Sequence, residues 1–212
     1  MMAARFKYDA VAFDLLTALV DSWTLWNNVA GSPEDGMRWR MRYLEVTYSC
    51  GAYQPYEALV REAAIGVGLS PLLADDLVAR WGELQPWTEA PPILTELAQY
   101  LPLGVATNCS VDLGSQAARR VGDMFKVVLT AEAVGWYKPR PEPYRAIAQA
   151  LGAKPERTLF VAGSAVDVPG ARGVGMPVYW HNRIGRPPQP GAVPDYEERS
   201  LDRLLDVVLG RG

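Results

Sequence analysis

The chain has 212 residues, 49% of them apolar and 21% charged, and its 21 Lys and Arg against 24 Asp and Glu give a net charge of −3. That balance excludes disorder as the main state and argues against non-specific nucleic-acid binding, which needs concentrated positive charge. One histidine (His181) and two cysteines (Cys50 and Cys109) without C-x-x-C spacing argue against a Cys/His zinc site or a disulfide framework.

The length predicts one domain, or one plus an insertion. The opening MMAARFKYDAVAFD carries charges where a signal peptide needs a long apolar core. No apolar run reaches the ~18 residues of a membrane span, so a cytoplasmic protein without a membrane partner is expected.

Residues 8–13 (YDAVAF) read as a buried strand ending at Asp14. Residues 22–85 read as helices punctuated by Gly and Pro, with Ser70-Pro71 as a helix start: Ser at the cap and Pro at the first helical position. After Pro86 helix and strand alternate. The helices are PPILTELAQYL, SVDLGSQAARRVG, PEPYRAIAQALG and VPGARGVG; the strands are PLGVAT, FKVVLT, TLFVAG and PVYW. Four prolines make 185–195 a loop, and Ser200 is expected to cap a last helix, LDRLLDVVL. Alternating βαβα predicts an α/β fold, a Rossmann-like parallel sheet core with an inserted all-helical cap. The core would take 1–20 and 87–212, the cap 21–86.

Ligands in such sheets bind outside the carboxyl ends of the strands. The polar residues there are Asp14, Thr107-Asn108, Lys138, Gly163-Ser164 and Asp167. Each has a plainer reading alone: Asp14 as a turn residue, Lys138 as a surface lysine, Asp167 as a helix cap. Their convergence on one rim favours a site. His181 follows the last strand and reads as structural or surface. Cys109 has no basic partner to activate it.

In this order these residues resemble the haloacid dehalogenase superfamily, with Asp14, a Ser/Thr position at Thr107, Lys138 and the acidic loop at Asp167 as its four motifs. Longer stretches resemble the L-2-haloacid dehalogenase branch. Trp39 to Tyr48 (WRMRYLEVTY) is similar to W-R-x-x-Q-L-E-Y-T-W, and Ala106 to Ser110 (ATNCS) to L-S-N-G-S. Tyr137 to Tyr144 (YKPRPEPY) is similar to Y-K-P-D-x-x-V-Y, and Phe160 to Asp167 (FVAGSAVD) to F-V-S-S-N-A-W-D.

The resemblance implies hydrolytic dehalogenation of 2-halo acids without a cofactor. Asp14 would attack C2 and expel halide, Lys138 would keep it ionised and aimed, and Asp167 would position the water that hydrolyses the ester. The N–H groups of Leu15 and Leu16 and the Thr107 hydroxyl would hold the substrate carboxylate. Arg40 would receive the carboxylate or the halide, with Asn108 as a second donor; its plainer reading is a solvated basic face with Arg38 and Arg42. Cap aromatics, Tyr56 among them, would line the alkyl pocket, and Ser164 would belong to the site loop. The family often dimerises through its cap, which leaves a homodimer open. Three departures stand in the first motif: Leu16 replaces a Tyr, Thr17 replaces a Gly and would resist positive φ, and Ala18 replaces a Thr whose hydroxyl serves the nucleophile. A Mg²⁺-dependent phosphatase is the main alternative. It needs an acid two residues after the nucleophile, where this chain has Leu16, and an extra carboxylate in the fourth motif, where it has Gly163-Ser164. A member that binds a small carboxylate without turnover is the other.

Overall fold

Short apolar runs that end in a polar residue form the strands of one parallel sheet. The computed structural model describes residues 6–191 and 193–211. Readings that touch residues 1–5, Ala192 within the 185–195 loop, or Gly212 lie outside the described residues there. The strands are β1 (Ala10–Phe13), β2 (Leu103–Thr107), β3 (Phe125–Thr130), β4 (Thr158–Ala162), β5 (Val178–His181) and β6 (Tyr196–Glu198). Their order is β3-β2-β1-β4-β5-β6, and every neighbouring pair is parallel. The chain moves outward from β1 in one direction and then returns to β1's other side for β4. The strand order therefore reverses beside β1, the place where α/β sheets bind ligands.

Alternate residues of β1 face opposite sides of the sheet, as the strand period of two requires. Val11 and Phe13 pack in the larger core, and Ala10 and Ala12 in the smaller one. The small β1 residues face α8 (Pro141–Leu151) and α9 (Asp167–Gly173), whose Tyr144, Ile147 and Val168 share that core. The other face carries α5 (Ala90–Leu97), α6 (Val111–Val121) and α10 (Leu204–Leu209).

Between β1 and α5 lie four helices, α1 (Ser22–Ala30), α2 (Pro33–Cys50), α3 (Tyr56–Gly66) and α4 (Leu73–Ala79), which form the cap. Ser32 caps α2 by accepting from Asp35 N, with Pro33 at the first helical position. Trp26, Trp39, Tyr43 and Tyr56 form a contiguous aromatic cluster with ring centroids 4.6 to 5.3 Å apart. The two chain crossings between cap and core are tied together. Val20 pairs antiparallel with Pro86, Asp21 N donates to Gln85 O at 2.8 Å, and Trp87 N donates to Leu19 O at 2.9 Å. Among the described residues no helix is long and apolar enough to cross a membrane.

Three local expectations need correction. Ser70-Pro71 opens a turn, since Leu73 N and Ala74 N bond three residues back, and α4 begins only at Leu73. Ser200 does not cap the last helix. Its hydroxyl bonds within a turn to the N–H and carboxylate of Asp202, and α10 starts at Leu204. The strand β6 and the one-turn helix α7 (Ala131–Val134) were not expected.

Candidate active site

Asp14 follows β1, anchored by its N–H to Val161 O at 2.9 Å, and is 7% exposed. Its carboxylate has two differently served oxygens. Oδ2 accepts from Thr17 Oγ1 at 2.7 Å, Thr17 N at 3.2 Å and Ala18 N at 3.3 Å. Oδ1 accepts from Lys138 Nζ at 2.8 Å. The same ammonium donates to Asp167 Oδ2 at 3.1 Å, and Tyr144 donates its hydroxyl to Asp167 Oδ1 at 2.8 Å. All three charged groups are buried.

Burial pushes the Asp14 carboxyl up, but the Lys138 charge and hydrogen bonds from Lys138 and Thr17 outweigh it, so the group sits below its ordinary range. Asp167 sits above its ordinary range. Burial raises it, Asp14's negative charge adds to that, and Lys138 only partly compensates. Burial pulls the Lys138 ammonium down, yet two carboxylates more than restore it. The trio is an ionised carboxylate, an ammonium and a more basic carboxylate in a line.

Lys138 is placed by Asn108. Asn108 Oδ1 accepts from Lys138 N at 2.8 Å and its Nδ2 donates to Lys138 O at 3.0 Å. The Asn108 amide clamps the backbone of the lysine with one of its two N–H groups, and Asn108 also lines the same cavity as Asp14 and Lys138. Thr107 ends β2 beside it, its hydroxyl 3.5 Å from the Cys109 sulfur. Burial pushes the Cys109 thiol up to about 12, consistent with a packing role.

Above the trio, Arg40 of α2 is 1% exposed. Its guanidinium lies over Trp23 at 4.6 Å and Trp26 at 5.3 Å, and its Nη2 reaches Leu16 O at 3.5 Å. Its Nε and Nη1 are buried with no hydrogen-bond partner. A buried cation with free donors is an anion site in waiting, since such groups are otherwise paired. Asp14, Arg40, Lys138 and Asp167 enclose a cavity of 30 Å³ together with Leu16, Thr17, Tyr43, Leu44, Tyr48, Thr107, Asn108 and Ser164.

The expectation for Tyr56 is corrected. It is fully buried, packs edge-on against Tyr43 and Trp81, and stands behind the cavity wall. Leu15 too is fully buried and outside the lining side chains. Tyr43, Leu44 and Tyr48 were missed, although they follow Arg40 at three, four and eight residues, the spacing of one helix face. Tyr43 donates to Asn108 O at 2.9 Å and Tyr48 to Ser164 Oγ at 2.8 Å, so α2 is bonded to both core loops.

Thr17 was also misjudged. No residue other than glycine has positive φ among those described, so the first loop turns without strain at Thr17. Its hydroxyl supplies the bond to Asp14 that Ala18 cannot.

A family model for haloacid dehalogenase-like hydrolases matches residues 8–175. The chain belongs to that family. Among its relatives, an (S)-2-haloacid dehalogenase of Pseudomonas sp. (strain YL) is 28% identical over 93% of both chains. A phosphatase of Mycobacterium tuberculosis is 33% identical over 72% of each. The structure of L-2-haloacid dehalogenase from Xanthobacter autotrophicus superposes with a TM-score of 0.85 at 25% identity, covering 97% of this chain and 100% of that one. The haloacid dehalogenase-like fold thus extends through the cap as well as the core. Among the described residues no group of three or more His, Cys, Asp or Glu could hold a metal ion. Lys138 already bridges the two carboxylates nearest one another.

Proposed function

We propose that the protein hydrolyses the carbon–halogen bond of small 2-halo acids through an ester on Asp14. One observation carries this reading: an ionised, lysine-held Asp14 shares the cavity with Arg40, whose buried Nε and Nη1 have no hydrogen-bond partner, and the aliphatic Leu16 lies two residues on. A halide leaves without a proton, so no acid is needed at position 16.

Asp14 Oδ2 has three donors and Oδ1 one, so Oδ1 is the oxygen left with density to attack. Oδ1 bonds to C2, the carbon–halogen bond breaks, and the halide departs with the electron pair. Arg40 takes up one of the two anions, substrate carboxylate or halide. The N–H groups of Leu15 and Leu16 and the Thr107 hydroxyl are the remaining carboxylate donors. Asp167, more basic than an ordinary carboxylate, then takes a proton from water as that water attacks the ester carbonyl. The tetrahedral adduct then expels the alkoxide of the 2-hydroxy acid, which takes that proton back from Asp167, and Asp14 is regenerated as a carboxylate. Ser164 accepts a hydrogen bond from Tyr48 at the cavity wall.

The reading needs no metal or organic cofactor. It is supported by the dehalogenase relatives of Pseudomonas and Xanthobacter. The unpaired Cys50 and Cys109 suit a reducing, cytoplasmic setting. A cap of residues 21–86 over a core of 1–20 and 87–212 accompanies it.

The phosphatase relative favours a second reading, Mg²⁺-dependent phosphate-ester hydrolysis. The residues present do not fit it. Asp14 and Asp167 lack a third acidic ligand, Gly163 and Ser164 occupy the fourth-motif positions, and Leu16 cannot protonate an alcohol. The deciding experiment is halide release from 2-chloropropionate and chloroacetate in EDTA, with Asp14→Asn as control. Release that survives EDTA and vanishes in the variant is expected. Silence there, with Mg²⁺-dependent hydrolysis of a phosphate ester, overturns the reading.

A further inference from the structure

The catalytic cavity is small, and a larger space adjoins it. A chamber of 380 Å³ opens beside it between α2, the loop after β4 and the proline-rich segment 184–190. Thr17, Leu44, Tyr48 and Ser164 line both spaces. The rest of the chamber is mostly apolar, with Trp23, Met41, Val166, Ile184 and Pro187 in its wall. Its charged lining residues, Glu45 and Arg186, are both exposed. At positions 164 and 166 the chain carries Ser and Val where the dehalogenase motif carries Asn and Trp. Both are smaller side chains in the chamber wall, and position 164 lies where the chamber adjoins the catalytic cavity.

We propose that this chamber binds the hydrocarbon tail of the substrate, so that the preferred substrates are longer-chain 2-halo acids. The substrate class rests on the dehalogenase reading of the adjoining site. The carboxylate and C2 occupy the polar cavity, which has room for little else. The tail passes Leu44 and Tyr48 into the chamber. At the shared wall Tyr48 of the cap donates to Ser164 of the core at 2.8 Å, and both side chains are half-buried. Turning the Tyr48 side chain out of that bond would open a way between the two spaces. Apolar walls reward each methylene moved out of water, so affinity must climb with chain length until the chamber is full.

The test measures binding and turnover separately. Calorimetry with unhalogenated propanoate, butanoate, pentanoate and hexanoate reads the chamber without any chemistry. In the full-length wild type, Kd is expected to fall roughly fourfold per added methylene. Ile184→Trp and Met41→Trp fill the chamber from opposite walls. Each is expected to weaken hexanoate about tenfold while leaving propanoate within about twofold. A flat Kd across the series in the wild type overturns the proposal, as does an equal loss for every acid in both variants. Halide release from 2-chloropropionate and 2-chlorohexanoate is then compared. Chain-length-dependent binding without any halide release sinks the dehalogenase reading and leaves the chamber as a binding site for carboxylate tails. Halide release with kcat/KM indifferent to chain length sinks the chamber and leaves the dehalogenase.

Discussion

A Cβ placed on Gly163 would lie 2.2 Å from Thr17 Oγ1 and 2.3 Å from Ala18 N. The loop after β4 and the loop that presents Asp14 are therefore pressed together at two of the three donors that hold Asp14 Oδ2. Gly163→Ala must push that backbone aside. It is expected to cost about 1–3 kcal/mol of stability and to lower halide release by about 100-fold through misplacement of the nucleophile. Adding Thr17→Ala does not rescue it, because Ala18 N still blocks the methyl group. Urea unfolding and an initial-rate assay check both parts; a fully active Gly163→Ala enzyme contradicts the account.

Lys138 links Asp14 and Asp167, two buried carboxylates, by an ion pair to each. Lys138→Met leaves both without their cation and is expected to destabilise the fold by about 3–5 kcal/mol at neutral pH. The pH dependence has a definite sign. In the wild type the lowered Asp14 contributes stability that is present above the ordinary carboxylate range and lost as pH falls through its depressed value. The raised Lys138 contributes stability that is present below 10.5 and lost as pH rises through its elevated value. In Lys138→Met both carboxyls are raised, so the deficit deepens as pH climbs through the carboxylate range and shrinks below about pH 4. Denaturant midpoints at acid and neutral pH measure it; a deficit independent of pH contradicts it.

Asp14 and Asp167 are displaced in opposite directions, so the two half-reactions must lose activity at different acidities. Ester formation needs ionised Asp14 and persists to lower pH. Ester hydrolysis needs ionised Asp167, whose burial still opposes ionisation after esterification has removed the Asp14 charge, and is expected to fail first as acid is added. Between the two limbs the ester accumulates. Quenched enzyme examined by intact mass should then carry the added mass of the substrate acid in the acid window, and almost none near neutrality. Coincident limbs, with no adduct at any pH, rule out this division of labour.

The Tyr56 hydroxyl is buried without a hydrogen-bond partner behind Tyr43. Removing an unsatisfied group is neutral or favourable. Tyr56→Phe is expected to keep kcat/KM within about twofold and to change stability by no more than about 1 kcal/mol, in the stabilising direction if at all. A large rise in KM for a 2-halo acid would instead return Tyr56 to the substrate pocket.

The parallel core was legible because its central strands are short apolar runs with a polar residue at each carboxyl end. Asp14, Lys138 and Asp167 could be placed on one rim from that pattern alone. Strand β6 was not legible: Tyr196 to Glu198 is polar, three residues long, and takes its pairing from the exposed edge of β5. The Thr17 hydroxyl was misread for a different reason: it reaches Asp14 through a local turn, and a side chain's choice of partner is set by packing that the motif alone does not carry. Aromatic content does not say which of two rings packed edge-on, Tyr43 or Tyr56, lines the cavity; Tyr43 does.

Leu19, Val20 and Asp21 meet Gln85, Pro86 and Trp87 across a short antiparallel contact, so the cap leaves and rejoins the core at a single point. The ends left by deleting it would already be at hairpin spacing, and a turn of a few residues could join them. Such a shortened chain would keep Asp14, Lys138 and Asp167 on their strands while losing Arg40, Leu44 and Tyr48. Asp14 and the unpaired donors of Arg40 therefore sit on parts of the chain joined at one place, so changes within α2 can reshape the cavity wall while Asp14, Lys138 and Asp167 stay on their strands.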